Sequence, residues 1–232
     1  MKIILIRHGD PNYEKDCLTE LGHKQVKVAA KRLLKERIDE VYCSPLGRAR
    51  QTAQAFLDAS GIDHMTILDF MQEIRFGVEG ALYDNRWNPW LGAAALVQEG
   101  KDLQSEYWRE YPVFKDNFAT IDADKIAVEA DKWLATLGYV REGQYYRCIG
   151  ASDDVESGTP AREKAIAIFC HGGSSSAFMA RVLNQTFPYM LGVFMYFPHT
   201  TINVLIFADK PGELVLPIIE LLNDARHLGD VE

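Results

Sequence analysis

With 232 residues, 47% of them hydrophobic and 25% charged, the chain is long enough to bury a sizeable core and has the composition of an ordinary globular protein. A formal net charge of −8 excludes the basic footprint that sequence-independent nucleic-acid binding requires, although a few local arginines can still make a cleft attractive to an anion. Cys17, Cys43, Cys148 and Cys170 are scattered with no CxxC pair, so buried free thiols in a reducing compartment are expected. The opening residues are one lysine and four apolar residues, followed by charge. That is too short for a signal peptide or a membrane span, and a cytoplasmic protein without membrane contact is the expectation.

The first apolar run, Ile3-Ile4-Leu5-Ile6, predicts a buried strand stopping at Arg7-His8-Gly9. A polar loop from Asp10 to Leu18 leads to Thr19, an N-cap by residue type. The helix it opens is expected to reach about Glu36, with Leu21, Val28, Ala29, Leu33 and Leu34 on its apolar side. Ile38 to Cys43 reads as a strand ending at Ser44-Pro45, and a helix from about Gly47 to Ala59 carries Arg48, Arg50, Gln51 and Thr52 in its first turns. Thr66-Ile67-Leu68 is a weaker strand leading to Met71-Gln72-Glu73. From Lys164 the alternation resumes. A strand from Ala165 to Cys170 ends in His171-Gly172-Gly173, a helix runs from about Ser174 to Leu183, and strands follow at Thr201 to Phe207 and Leu214 to Ile219. Strand and helix in alternation predict an α/β fold, a doubly wound and mostly parallel sheet with helices on both faces.

Between Tyr83 and about Gly158 this rhythm breaks, and all four tryptophans, Trp87, Trp90, Trp108 and Trp133, lie there. Ile126, Ala130, Trp133, Leu134 and Leu137 share one helical face, with Gly138 placed to end it. Tyr139-Val140 and Tyr145-Tyr146 flank Gly143 as a hairpin would, and Ser152 to Pro160 is polar and expected to be exposed. Without a repeat or an interdomain linker, residues 1–232 read as one domain carrying a helical, aromatic insertion at about 83–163 that forms a cap or lid. Trp133 is expected in the core. Trp87 and Trp90 fit either lid packing or substrate contact.

Two strands that each deliver a histidine and then a glycine bring two imidazoles to the carboxyl edge of a sheet, where open α/β sheets bind ligands. A histidine there can attack phosphorus if cations shield the phosphoryl charge. Arg7 and Arg48 suit that task, because guanidinium forks grip phosphate oxygens in pairs. Gly9 and Gly172 admit close backbone approach. Gly172-Gly173-Ser174 opens a helix whose first N–H groups favour an anion, and His171 can donate to phosphoryl oxygens.

These features resemble the histidine phosphatase superfamily, in its phosphoglycerate-mutase-like branch. The matching residues, in the family's order, are Arg7-His8-Gly9, Leu18-Thr19 with Gly22, Ser44-Pro45-Leu46-Gly47-Arg48-Ala49-Arg50-Gln51-Thr52-Ala53, Glu73 with Phe76-Gly77 and Glu79-Gly80, and His171-Gly172-Gly173. The resemblance covers most of residues 1–80 and 164–207. It implies that His8 becomes a phosphohistidine, that Arg7, Arg48 and His171 hold the phosphate, and that Glu73 protonates the leaving group, with no metal and no cofactor. The chain departs from the family at Asp10, where the family often has Glu. Asn12 and Asn88 are only loose counterparts of an asparagine that touches phosphate there.

The expected function is hydrolysis of a small organic phosphomonoester, with that substrate as the partner and neither nucleic acid nor membrane involved. The oligomeric state is open, a homodimer being one option. One rival is a phosphoglycerate mutase, which needs further cations for a second anionic group. Arg86, Lys101, Arg109, Lys115, Lys125, Lys132, Arg141, Arg147 and Arg162 are dispersed among acids, which favours hydrolysis. Another rival is a non-catalytic binding module on the same fold. A dinucleotide site is disfavoured, because charge rather than GxGxxG follows the first strand. Arg50 is read as structural or as backing the phosphate ligands from behind, His199 as a bystander bordering the pocket, and His23, His64 and His227 as surface residues.

Overall fold

The computed structural model describes residues 1–150, 164–194 and 198–231. They divide between two units, Met1–Gln72 with Leu134–His171 and Phe197–Glu232, and Glu73–Trp133 with Gly172–Tyr196. In the first unit the apolar runs become strands. β1 is Lys2–Arg7, followed by α1 at Glu20–Leu33, β2 at Glu40–Cys43, α2 at Gly47–Ser60 and β3 at Thr66–Ile67. β4 (Tyr139–Glu142) and β5 (Tyr145–Cys148) form the expected hairpin, with Gly143 at a φ of 60° in its turn. β6 is Ala165–Cys170, β7 Ile202–Ile206, β8 Leu214–Val215 and β9 Ile218–Asp224.

The main sheet has the order β9-β7-β1-β6-β2-β3. β1, β6, β2 and β3 are mutually parallel, while β7 runs antiparallel to both β1 and β9. The sheet is therefore mostly parallel, as its apolar strands require. Ile4, Ile6, Val41, Ala167 and Phe169 meet Ala30 and Leu33 of α1 and Ala53 and Phe56 of α2 in one buried cluster. Register is what matters for function. Arg7 pairs with Cys170, so His8 and His171 leave adjacent strands side by side, and the His8 N–H donates to the Cys170 carbonyl at 3.0 Å.

Thr19 caps α1 by accepting from the Gly22 N–H. The buried face of α1 differs from the expected one. Gly22, Gln25, Val26, Ala29, Ala30 and Leu33 are buried, whereas Leu21 and Leu34 are 47% and 44% exposed. Close approach, rather than hydrophobicity, chose that face. A Cβ on Gly22 would lie 2.3 Å from the Asp10 carbonyl oxygen, and the Gln25 side chain accepts the Asp10 N–H at 2.8 Å. α1 thereby presses a small residue and an amide against the loop that follows His8.

The strand expected from Leu214 to Ile219 is two strands. β8 pairs with β5 in a three-stranded sheet, and β9 forms an edge of the main sheet. Pro217 lies between them and has no N–H to donate to a ladder. Tyr139 and Tyr146 set their rings edge-on against Phe207 at 5.2 and 5.8 Å.

The second unit contains α3 (Pro89–Gln98), α4 (Phe118–Thr136, which begins well before the expected helix), α5 (Gly172–Val182) and α6 (Phe187–Val193). The early start of α4 follows from Asn117. Its Oδ1 accepts the N–H groups of Ala119 and Gly77, while its Nδ2 donates to the carbonyls of Trp87 and Val113, so a fully buried amide meets all its needs. Trp108, Phe114 and Phe187 pack together at 5.5–6.4 Å, and Trp133 packs against Phe178 at 6.2 Å, so Trp108 and Trp133 are core. Trp87 and Trp90 are only partly buried. The insertion expected at 83–163 straddles both units, since the hairpin belongs to the first. The polar run from Ser152 to Pro160, and Arg162 with it, lies outside the described residues. All four cysteines are free thiols.

Candidate active site

The end of β1 sets the position of His8. Its ring is almost fully buried, and Nδ1 lies 2.7 Å from the Gly9 carbonyl oxygen. A carbonyl only accepts, so Nδ1 carries the proton and Nε2 keeps its lone pair. Nε2 receives the Nε–H of Arg48 at 3.3 Å. Burial is the main cause that pushes the His8 pKa well below the ordinary 6.5. The charges of Arg7, Arg48 and His199 add to it, against the opposing bond to Gly9. The result is a neutral imidazole whose Nε2 lone pair faces the Arg48 guanidinium.

Arg48 is the best-anchored cation. It begins α2, is only 6% exposed, and its Nη1 donates to Asp16 Oδ1 at 2.6 Å. The other carboxylate oxygen of Asp16 accepts the Gly47 N–H at 2.6 Å, so one aspartate both caps α2 and aims Arg48. A Cβ at Gly47 would stand 2.2 Å from the Asp16 carbonyl oxygen, which explains a glycine before the arginine. Tyr13 closes another side, edge-on to His8 at 6.4 Å and 5.3 Å from the Arg48 guanidinium carbon. Gly9 donates to Thr52 Oγ1, and a Cβ there would press on Val26 at 2.9 Å.

The His171 ring centroid lies 5.1 Å from that of His8, and its Nε2 is 2.8 Å from Ser44 Oγ. Burial first, then the charges of His8, Arg48 and Arg7, hold His171 well below the ordinary value. Arg7 enters by its backbone N–H bond to the Thr201 carbonyl and by the lowering effect of its charge on all three nearby imidazoles. His8, Arg48 and His171 are thus brought together, with Arg7 following β1 into the same region.

Glu73 and Gly172 belong to the second unit. There Glu73 Oε1 accepts the N–H groups of Ile74, Gly173 and Ser174 at 3.0, 2.9 and 3.2 Å, an arrangement suited to a carboxylate at a helix start. A Cβ at Gly173 would lie 2.6 Å from that oxygen, so the second glycine of His171-Gly172-Gly173 makes room for Glu73. The two loose asparagine candidates are employed locally. Asn12 Oδ1 accepts the Lys15 N–H, and Asn88 caps α3.

One histidine differs from its sequence reading, and another borders the pocket as read. His227 is not on the surface. It is 7% exposed, and its Nε2 lies 2.9 Å from Thr200 Oγ1. His199 stands beside the nucleophile candidate, ring centroids 5.6 Å apart. Thr200, fully buried, has a φ of 58°, which for a β-branched residue stores strain of roughly 1–3 kcal/mol. Asp16 and Tyr13 were also invisible in the sequence, being loop residues without a pattern. His64 and His23 are exposed, as expected, and Arg50 is exposed on α2.

These imidazoles give stability a pH signature. Unfolded, His8, His171 and His199 titrate near the ordinary 6.5; folded, the first two lie well below it and His199 lies at about 4. Between those values the unfolded chain binds more protons, so stability is complete above the unfolded pKa and lost as pH falls through the window. The thermal midpoint is expected to be flat above pH 7 and to drop between about pH 6.5 and 5, less steeply in His171→Asn. A midpoint indifferent to pH from 7 to 5 contradicts this.

A buried neutral imidazole, with a guanidinium group on its Nε2 and two further imidazoles beside it, thus stands at the end of a strand in a mostly parallel sheet of an α/β fold. Residues 3–87 match the model of the histidine phosphatase superfamily (branch 1), which bears out the resemblance read from the motifs. A probable phosphatase of Schizosaccharomyces pombe is 33% identical over 86 residues, covering 33% of this chain and 41% of the relative, so less than half of that relative's length is matched. Among solved structures, a phosphoserine phosphatase of Entamoeba histolytica is 21% identical with a TM-score of 0.61, covering 98% of each chain. A mycobacterial glucosyl-3-phosphoglycerate phosphatase is 18% identical with a TM-score of 0.65, covering 96% of this chain and 98% of that one. The fold is the one these structures share. Among the described residues no group of three or more His, Cys, Asp or Glu side chains is arranged to hold a metal, and no helix is long and apolar enough to cross a membrane.

Proposed function

We propose that the protein is a metal-independent phosphatase that hydrolyses a small organic phosphomonoester through a phosphohistidine on His8. One observation carries this reading: the Gly9 carbonyl holds the proton on Nδ1, which leaves the Nε2 lone pair inside a cationic enclosure. In the first step Nε2 attacks phosphorus in line and the P–O bond to the leaving group breaks. Arg7 and Arg48 neutralise the phosphoryl oxygens, His171 donates a hydrogen bond to one of them, Gly172 admits the group closely, and Glu73 supplies a proton to the departing alkoxide. Water then attacks phosphorus, its proton passes to the Glu73 carboxylate, and the P–N electron pair returns to His8. Glu73 accepts the first N–H groups of the helix that begins directly after His171.

The names of the relative and of the structural neighbours, phosphatases all, support hydrolysis. So do five cations of the aromatic segment, each of which faces an acid. Arg86 pairs with Asp84, Arg109 with Asp124, Lys115 with Glu110, Lys132 with Glu129 and Arg147 with Glu142. A mutase would want such cations uncommitted. The test is a panel of phosphorylated metabolites and an aryl phosphate, assayed with the purified chain in a chelating buffer. Phosphate release is the expected result. No turnover across the panel would favour the binding module, and isomerisation stimulated by a bisphosphorylated glycerate would favour the mutase.

A further inference from the structure

The turn from Pro198 to Thr201 is tied to the catalytic strand more firmly than a bystander loop requires. The Thr200 N–H donates to the His8 carbonyl at 3.2 Å, and the Arg7 N–H donates to the Thr201 carbonyl at 3.1 Å. Thr200 is fixed in the left-handed region, buried, with its hydroxyl bonded to the buried His227. A β-branched residue adopts that conformation only where its surroundings impose it, and such positions gather at functional sites. What the turn presents is His199, at 24% side-chain exposure and with its ring tilted 35° to that of His8. Its Nδ1 lies 3.5 Å from Asp10 Oδ1, at the one position of Arg7-His8-Gly9-Asp10 that departs from the family pattern.

We propose that His199 is a further phosphoryl-binding residue of this site, its Nδ1 edge backed by Asp10 and its Nε2 donating to an oxygen of the phosphoryl group held on His8. The proposal rests on the phosphatase reading. The groups facing His199 are Arg7 and His8 from the end of β1 and Asp10 from the following loop, while His227 faces Thr200. Burial and Arg7 outweigh Asp10 and keep the ring neutral. A phosphoryl dianion offsets Arg7 and places an anion on each side of the imidazole, which favours the doubly protonated ring. Anion binding and proton uptake on His199 are therefore coupled.

The experiment is titration calorimetry of the full chain with inorganic phosphate at pH 6, in two buffers of different ionisation enthalpy, for wild type, His199→Asn and His199→Gln. Steady-state kinetics accompany it. Relative to wild type, His199→Asn is expected to bind phosphate at least about tenfold more weakly and to lose close to one proton of uptake, with KM affected more than kcat. His199→Gln, whose amide reaches about as far as Nε2, regains part of the affinity but none of the proton uptake. Wild-type affinity and proton count in His199→Asn overturn this inference alone, provided the wild type hydrolyses phosphomonoesters. A wild type that neither binds phosphate nor hydrolyses any ester overturns the phosphatase reading along with it.

Discussion

Replacing His8 with alanine is expected to lower kcat for phosphomonoester hydrolysis by at least about ten-thousand-fold, because it removes the imidazole that forms the covalent intermediate. The neighbouring imidazole cannot substitute, since His171 Nε2 is engaged with Ser44 and its ring lies 5.1 Å away. The variant should still fold. The His8 ring makes two side-chain bonds, with the adjacent Gly9 carbonyl and with Arg48 Nε–H, and the backbone bonds that place the residue, to Cys170 and from Thr200, do not involve the ring. Removing a buried imidazole also removes one group that must stay neutral, which eases the acid-side loss of stability. Circular dichroism melts would confirm folding. Residual turnover near the wild-type level in a folded His8→Ala protein would disprove the covalent route.

Arg48→Lys is expected to cost about a hundred- to a thousand-fold in kcat/KM, although the charge is retained. Arg48 performs two tasks at once, Nε toward His8 and Nη1 on Asp16, while its guanidinium carbon sits over Tyr13. A lysine offers one point charge and cannot span both partners. The loss should appear as a fall in kcat together with weaker binding of phosphate. Arg50→Lys, two residues along on the exposed face of α2, should stay within about twofold of wild type and serves as the control. If both substitutions behaved alike, Arg48 would have no part in binding or turnover of the phosphomonoester.

How much of this was legible in the sequence follows the physics of each signal. Buried strands announce themselves by apolar runs, and the glycine after each histidine marks where a strand must stop, so the sheet and the pairing of His8 with His171 were readable. Arg48 was readable from its place at the start of a helix. Asp16, Tyr13 and Asn117 were not, because their roles depend on loop conformation and on partners distant along the chain. His227 was misread for the same reason: its burial is decided by Thr200, which no periodicity links to it. The face of α1 was misjudged because hydrophobicity was taken to select it, whereas the approach of the Asp10 loop to Gly22 does. The break at Pro217 was available in the sequence, as a residue unable to donate to a ladder, and was overridden by the apolar run around it.

The most direct test of the account is to quench the wild-type protein in base during turnover of a radiolabelled aryl phosphate and to map the label by mass spectrometry. A phosphoryl group stable to base, labile to acid and located on His8 is the predicted result. Turnover without any protein-bound phosphoryl group, or with the label on another residue, would contradict it.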